Sequence, residues 1–180
     1  MDFIADGTEK NVEDIRQGDL VHTHKHGPKE VTLAYNDVYY NNPKLWYRCM
    51  FENQESGLRI TGSHRIAVRE LADWQMKTYE ASGLPLQRLD DEFILLHSTV
   101  AVDKFKPVRS SNKFEIFHFA LSDEPDEIFG VFANGILTES VPKKLIEEEV
   151  VRASQSDART KEVVRASAEA APGNELSTCA

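Results

Sequence analysis

The sequence predicts an all-β domain of many short strands followed by a helical tail. Three observations predict it. Short runs rich in Val, Ile, Tyr, Phe and Trp, several alternating apolar with polar residues, recur up to residue 140. Turn signals built on Gly, Pro, Asn and Asp punctuate them at intervals of roughly eight to twelve residues, which points to a sandwich, a barrel or a coiled β-disc. From Val141 the composition shifts to Ala, Glu, Lys and Arg, the residues of helices.

A chain of 180 residues holds one ordinary domain and an appendage, and its hydrophobic fraction of 41% suffices for a packed core. The formal net charge is −9 and no basic run occurs, which argues against nucleic acid as a partner. Cys49 stands in the apolar run WYRCMF and reads as a buried thiol, whereas Cys179 is penultimate; the two make no disulfide framework and no zinc-type pair. The opening residues MDFIADGTEK lack the charged and apolar regions of a secretory signal. The longest apolar run, FILLHSTVAV, is too short to cross a bilayer and is broken by His97. A soluble chain with no membrane partner and no cofactor is expected.

The elements follow in order. Asp6-Gly7 is a hairpin-type turn, Val12–Ile15 a short helical step, and Gln17-Gly18-Asp19 a second turn from which Leu20-Val21 open a strand. His22, His24 and His26 alternate, so in an extended strand they share one face. Three imidazoles on one face can bind zinc or nickel, but no Asp, Glu or Cys is spaced to complete the site, and a polar strand end running into Gly27-Pro28 is the preferred reading. Val31–Tyr40 and Leu45–Glu52 read as strands around the turn Asn41-Asn42-Pro43, their aromatics serving as core and cross-strand pairs. Residues 70–92 read as a short strand and a loop anchored by Trp74. Phe93–Val102 is a strand, Phe114–Leu121 a strand buried on both faces, and Ser122–Glu127 an acidic turn. Ile128–Leu137 forms a hairpin around Asn134-Gly135, the strongest short-range hairpin signal in the chain. Residues 141–171 read as an acidic helical segment and 172–180 as a disordered tail. The hexamer EVVRAS occurs twice, at Glu149–Ser154 and Glu162–Ser167; a spacing of thirteen residues turns the two valine pairs to different sides of one helix, so no single apolar stripe results.

The stretch Leu58–Val68, LRITGSHRIAV, carries the chemistry. Leu58 and Ile60 before a Gly-Ser break, and Ile66 and Val68 after it, predict two strands joined by a tight turn with Gly62 at positive φ. Thr61 and His64 flank the turn, so a hydroxyl and an imidazole converge at one end of a hairpin. A hydroxyl can hydrogen-bond a carbonyl, and an imidazole can accept or donate a proton near neutral pH. The bland alternative is a pair of polar residues that meet only water.

Three blocks in order give this pair a context: ADGTEKNVEDIRQGDLV at 5–21, LRITGSHRIAV at 58–68, and IFGVFANGILTES at 128–140. Together they resemble the Hint family, the module shared by inteins and hedgehog autoprocessing domains, over residues 4–140. The resemblance implies a flat, horseshoe-shaped β fold over residues 1–140 that attacks a peptide bond in its own chain. Its substrate is then its own flanking polypeptide. An N-terminal Cys or Ser attacks the preceding carbonyl, Thr61 polarises that carbonyl, and His64 protonates the leaving amide nitrogen. Two departures matter. No Cys or Ser occurs among residues 1–7; the family's nucleophile lies about ten residues before its Asp-Gly turn, whereas this sequence starts only a few residues before Asp6-Gly7, so the nucleophile and the first strand around it are expected to be missing. Glu139 and Ser140 stand where splicing members end in His-Asn. The expected domain is therefore of the self-processing class, hedgehog-like in its ending and inactive as written. The competing expectation is a non-catalytic β-rich interaction module whose 141–171 helix binds a protein partner.

Overall fold

The structure is a computed structural model that describes residues 2–3, 8–40, 48–83, 85–97, 105–109 and 113–155. The turns expected at Asp6-Gly7 and Asn41-Asn42-Pro43, residues 45–47 and 98–102 of two expected strands, the second EVVRAS copy, Cys179 and the tail at 172–180 lie outside the described residues. The chain divides into two compact units, Met1–Ile146 and Glu147–Ala180. The first therefore runs six residues past the composition change at Val141. Ile146 is itself buried. In the second, residues 147–155 are helical, and Glu149 and Arg152 form an ion pair there at 3.8 Å.

The first unit is all-β, built of antiparallel strands with short helical insertions. Its strands are β1 Asp2–Phe3, β2 Glu9–Lys10, β3 Leu20–Thr23, β4 Gly27–Glu30, β5 Leu33–Tyr40, β6 Met50–Asn53, β7 Arg59–Thr61, β8 Arg65–Val68, β9 Gln87–Arg88, β10 Ile94–His97, β11 Phe105–Pro107, β12 Lys113–Ala120, β13 Gly130–Ala133 and β14 Ile136–Glu139. A nine-stranded sheet has the path β2-β1-β13-β14-β8-β10-β9, with β3 and β4 attached through β13. Strands β11, β6 and β7 form a second sheet, and β12 pairs β5 in a long ladder from Lys113↔Tyr40 to Ala120↔Leu33.

The strongest turn signal produces the turn it predicts. Asn134 and Gly135 have φ of 48° and 77°, the two positive values of a type I′ turn, and β13 and β14 close on it from Ala133↔Ile136 to Gly130↔Glu139. The central stretch behaves differently. β7 and β8 do not pair with each other: β7 pairs β6, while β8 pairs β10 and β14. Thr61–His64 is a corner by which the chain leaves one sheet for another. His64 N–H closes it on Thr61 O at 3.1 Å, and Gly62 N–H donates to Cys49 O at 2.9 Å. Gly62 is not among the glycines at positive φ, so the expected hairpin geometry is replaced by a turn that any residue's backbone can adopt.

Four further expectations are corrected. Asp73–Ser82 is a helix, α1, within the stretch read as strand and loop. Gln75 Oε1 accepts Ala72 N–H at 2.9 Å at its start, and Gly83 at φ 66° ends it with its N–H on Tyr79 O. Tyr79 and Gln75 are its buried residues, whereas Trp74 is exposed. His22, His24 and His26 do not share a strand face, because only His22 lies in β3. Thr23 Oγ1 donates to Gly27 O at 2.7 Å and accepts His26 N–H at 3.1 Å, folding residues 24–26 into a turn. β12 is buried toward its C-terminal half only; Lys113 and Glu115 are exposed. Cys49, expected to be buried, is half-buried.

Two main clusters hold the unit. One gathers Leu58, Ile60, Ile66, Tyr79, Leu96, Phe105 and Ala133; the other gathers Ile15, Val21, Val31, Phe119, Leu121, Phe129 and Val131. Val131 and Ala133, two apart on β13, lie on one strand face and tie the hairpin to both clusters. That hairpin thereby fixes where β14 meets β8.

Candidate functional site

β8 is the spine of the site. It carries Arg65 opposite His97 of β10 and Ile66 opposite Thr138 of β14. Antiparallel continuation of the second register sets Glu139 opposite Arg65 and Ser140 opposite His64. The turn before β8 supplies Thr61. Thr61, His64, Thr138, Glu139 and Ser140 all line one cavity of about 660 Å³, and Ala133 of the closing hairpin lines it as well. The two residues singled out by sequence therefore face a common space, and the third sequence block reaches it. β1 pairs the same hairpin at Asp2↔Ala133.

The Thr61 hydroxyl is buried and lies 3.3 Å from the Ser63 hydroxyl, either of which can donate to the other. His64 keeps an edge on the cavity. Protein packed around the ring pushes its pKa down to about 4, and the neighbouring Arg65 charge adds to this. The backbone of Glu139 hydrogen-bonds the ring and works in the opposite direction by favouring the charged form. At pH 7 the imidazole is neutral. With one ring nitrogen donating to a backbone carbonyl, the other is a proton acceptor.

Beside this pair lies an ion pair to which the sequence reading gave no role. Glu139 is 6% exposed, and its carboxylate accepts from Arg65 Nε at 2.8 Å, from Arg65 Nη2, and from the Arg65 backbone N–H at 3.1 Å. Thr138 Oγ1 donates to Arg65 O at 2.7 Å. Arg65 Nη1 donates to Gln87 Oε1 of β9. Burial pushes the Glu139 carboxyl above its usual range, and the Arg65 guanidinium pulls it only part of the way back. On the far side of β8, Tyr79 Oη accepts His97 N–H at 2.8 Å and lies 2.9 Å from His97 Nδ1. Burial first, and Arg65 second, lower the His97 pKa, so this ring too is biased toward its neutral form.

One signal for the ion pair was present in the sequence. A Glu standing inside ILTES, at the end of an otherwise apolar strand, requires a cation if that strand is buried. The histidines at 22, 24 and 26 are not brought to this site. His24 packs edge-on against Phe93 and Phe132, with Asp90 3.8 Å from its Nε2, and His26 packs against Phe129. Among the described residues no group of three His, Cys, Asp or Glu side chains is gathered closely enough to hold a metal.

Fold and cavity together define an all-β protein with a neutral histidine, a buried hydroxyl and a buried Arg–Glu pair at a strand junction. No protein-family model matches the chain, and no curated protein matches it.

Proposed function

We propose that residues 1–140 are a Hint-type domain of the self-processing class, in which Thr61 and His64 serve an intramolecular acyl shift. The observation that carries this reading is the convergence of Thr61, His64 and the end of β14 on one cavity. The chemistry suits the groups. A Cys thiol or Ser hydroxyl attacks the carbonyl that precedes it, a C–S or C–O bond forms, and the C–N bond breaks once the amide nitrogen is protonated. Thr61 is the hydroxyl donor to the carbonyl oxygen as charge develops there. A ring with a pKa of about 4 has no spare proton at pH 7. His64 therefore first takes the proton of the attacking group and then delivers it to the leaving nitrogen, so base precedes acid. Glu139 and Ser140 offer no side chain that cyclises as Asn does, which favours the hedgehog-like, non-splicing branch.

As written from Met1, the sequence holds no Cys or Ser among residues 1–7, so this 180-residue chain keeps one intact mass over days with or without added thiol. A longer form that carries a Cys ahead of the first strand cleaves at that Cys when thiol is added, and His64→Ala stops the cleavage. Cleavage that survives His64→Ala refutes the assignment.

A further inference from the structure

Residues 113–119 of β12 all line the cavity that Thr61 and His64 share. Side chains alternate faces along a strand, so a cavity touched by seven consecutive residues meets the strand edge-on. The direction of the main-chain groups on that edge follows from two hydrogen bonds. Phe119 O accepts Val141 N–H at 3.2 Å, and therefore points away from β5; Ala120 O accepts Thr32 N–H at 2.9 Å, next to the start of β5, and therefore points toward it. In an antiparallel pair the residues alternate between both groups inward and both outward. Phe117 and Glu115 thus direct their N–H and C=O outward with Phe119. Among the described residues β12 pairs only with β5, and no main-chain group is bonded to Glu115 or Phe117 on that side.

We propose that this outward edge of β12 is a peptide-binding edge, on which an extended segment of the polypeptide to be processed pairs with Glu115 and Phe117 and runs along the cavity past Thr61 and His64. The identity of the peptide rests on the self-processing reading; the edge does not. The chain itself has begun such pairing, through Val141, just after Thr138–Ser140 leave the same cavity wall. Glu115 and Phe117 stand two residues apart, about 7 Å along this edge, enough for a short ladder with an extended peptide. The facing walls are apolar at Met50, Ile60 and Val108, while Lys113 and Glu115 carry opposite charges. No single sign of charge selects the peptide, so recognition is through its backbone and tolerates many side chains.

The experiment titrates the full chain, labelled with nitrogen-15, with the acetylated and amidated peptide Thr-Val-Thr-Val-Thr up to millimolar concentration. The amide signals of Glu115 and Phe117 shift and their hydrogen exchange slows. Two N-methylated peptides, blocked at alternate amides on one edge or the other, behave differently: one keeps binding and the other loses it. Glu115→Pro removes an outward N–H without removing a ladder bond to β5, and weakens binding about tenfold. Circular dichroism checks that this variant is folded, and the methylated peptides decide the matter if it is not. Absence of shifts at Glu115 and Phe117, or equal binding by both methylated peptides, overturns the proposal. So does protection of these amides by a second copy of the chain, seen as a dimer in sedimentation. Binding is read without cleavage. A chain that binds but never cleaves in any longer form refutes the processing reading alone, and one that cleaves with this edge unoccupied refutes the edge alone.

Discussion

Arg65→Ala tests the electrostatic logic of the site most directly. The Glu139 carboxylate is almost fully buried and accepts three hydrogen bonds, all from Arg65. The substitution removes the two charge-assisted ones and keeps the backbone one. Removing one partner of a buried pair costs about 3–5 kcal/mol, because the remaining charge has lost its compensation. For a unit of this size that lowers the melting temperature by roughly 10 °C. The sign of the pH dependence follows from Glu139. Burial already raises its folded pKa above the ordinary 4.5, and removing Arg65 takes away the main opposing influence. A carboxyl whose folded pKa is raised binds its proton more readily folded than unfolded. Below pH 4.5 both states are protonated and this penalty is absent; it grows as the pH rises above that value. The variant is therefore closer to wild type at pH 5 than at pH 8. Adding Glu139→Gln to Arg65→Ala removes the stranded charge and restores more than half of the loss at pH 8. Urea unfolding followed by circular dichroism at the two pH values measures all of this. An equal loss at both, with no rescue by Glu139→Gln, would falsify the charge argument and leave only lost packing.

Other expectations are of the same kind. His64, with its pKa lowered to about 4, stays neutral in the folded state while the unfolded chain takes up a proton below its ordinary 6.5. Stability is thus complete above pH 6.5 and falls between 6.5 and 4, by an amount on the order of 2–3 kcal/mol; His64→Phe flattens that part of the wild-type profile, and identical profiles rule the account out. Tyr79→Phe deletes the acceptor of His97 N–H and the partner of Nδ1, and costs about 1–3 kcal/mol in urea unfolding. Gly130→Ala puts a Cβ 2.7 Å from Leu89 Cδ2, 3.1 Å from Leu137 Cδ1 and 3.2 Å from His24 Cβ. The leucine tips can shift but the His24 Cβ cannot move independently of its backbone, so a loss of about 1–2 kcal/mol is expected; an unchanged melting temperature contradicts it.

Much of the strand pattern was legible because it is local. Asn134-Gly135 encodes its own turn through two residues that tolerate positive φ. β3, β5, β10 and β12 announce themselves by β-branched and aromatic runs. α1 was not legible, because of its ten residues only Gln75 and Tyr79 are buried and no apolar stripe results. The Leu58–Val68 stretch was legible as two strands but not as a corner between sheets. Alternation records that a strand has a buried face, and not which strand lies beside it.

The sequence by itself determined the all-β class, the helix that starts at the composition change, and the closeness of Thr61 to His64, since three residues across one turn cannot stray far apart. Only the tertiary structure decided that Arg65 meets Glu139 across 74 residues of sequence, that this junction shares a cavity with Thr61 and His64, and that residues 113–119 of β12 line that same cavity. The reason is one of range. Backbone propensity and turn chemistry act over a few residues and are written in their order. The pairing of distant strands is selected by the burial of the whole set of apolar faces at once, and the charged groups that end up adjacent are a consequence of that selection.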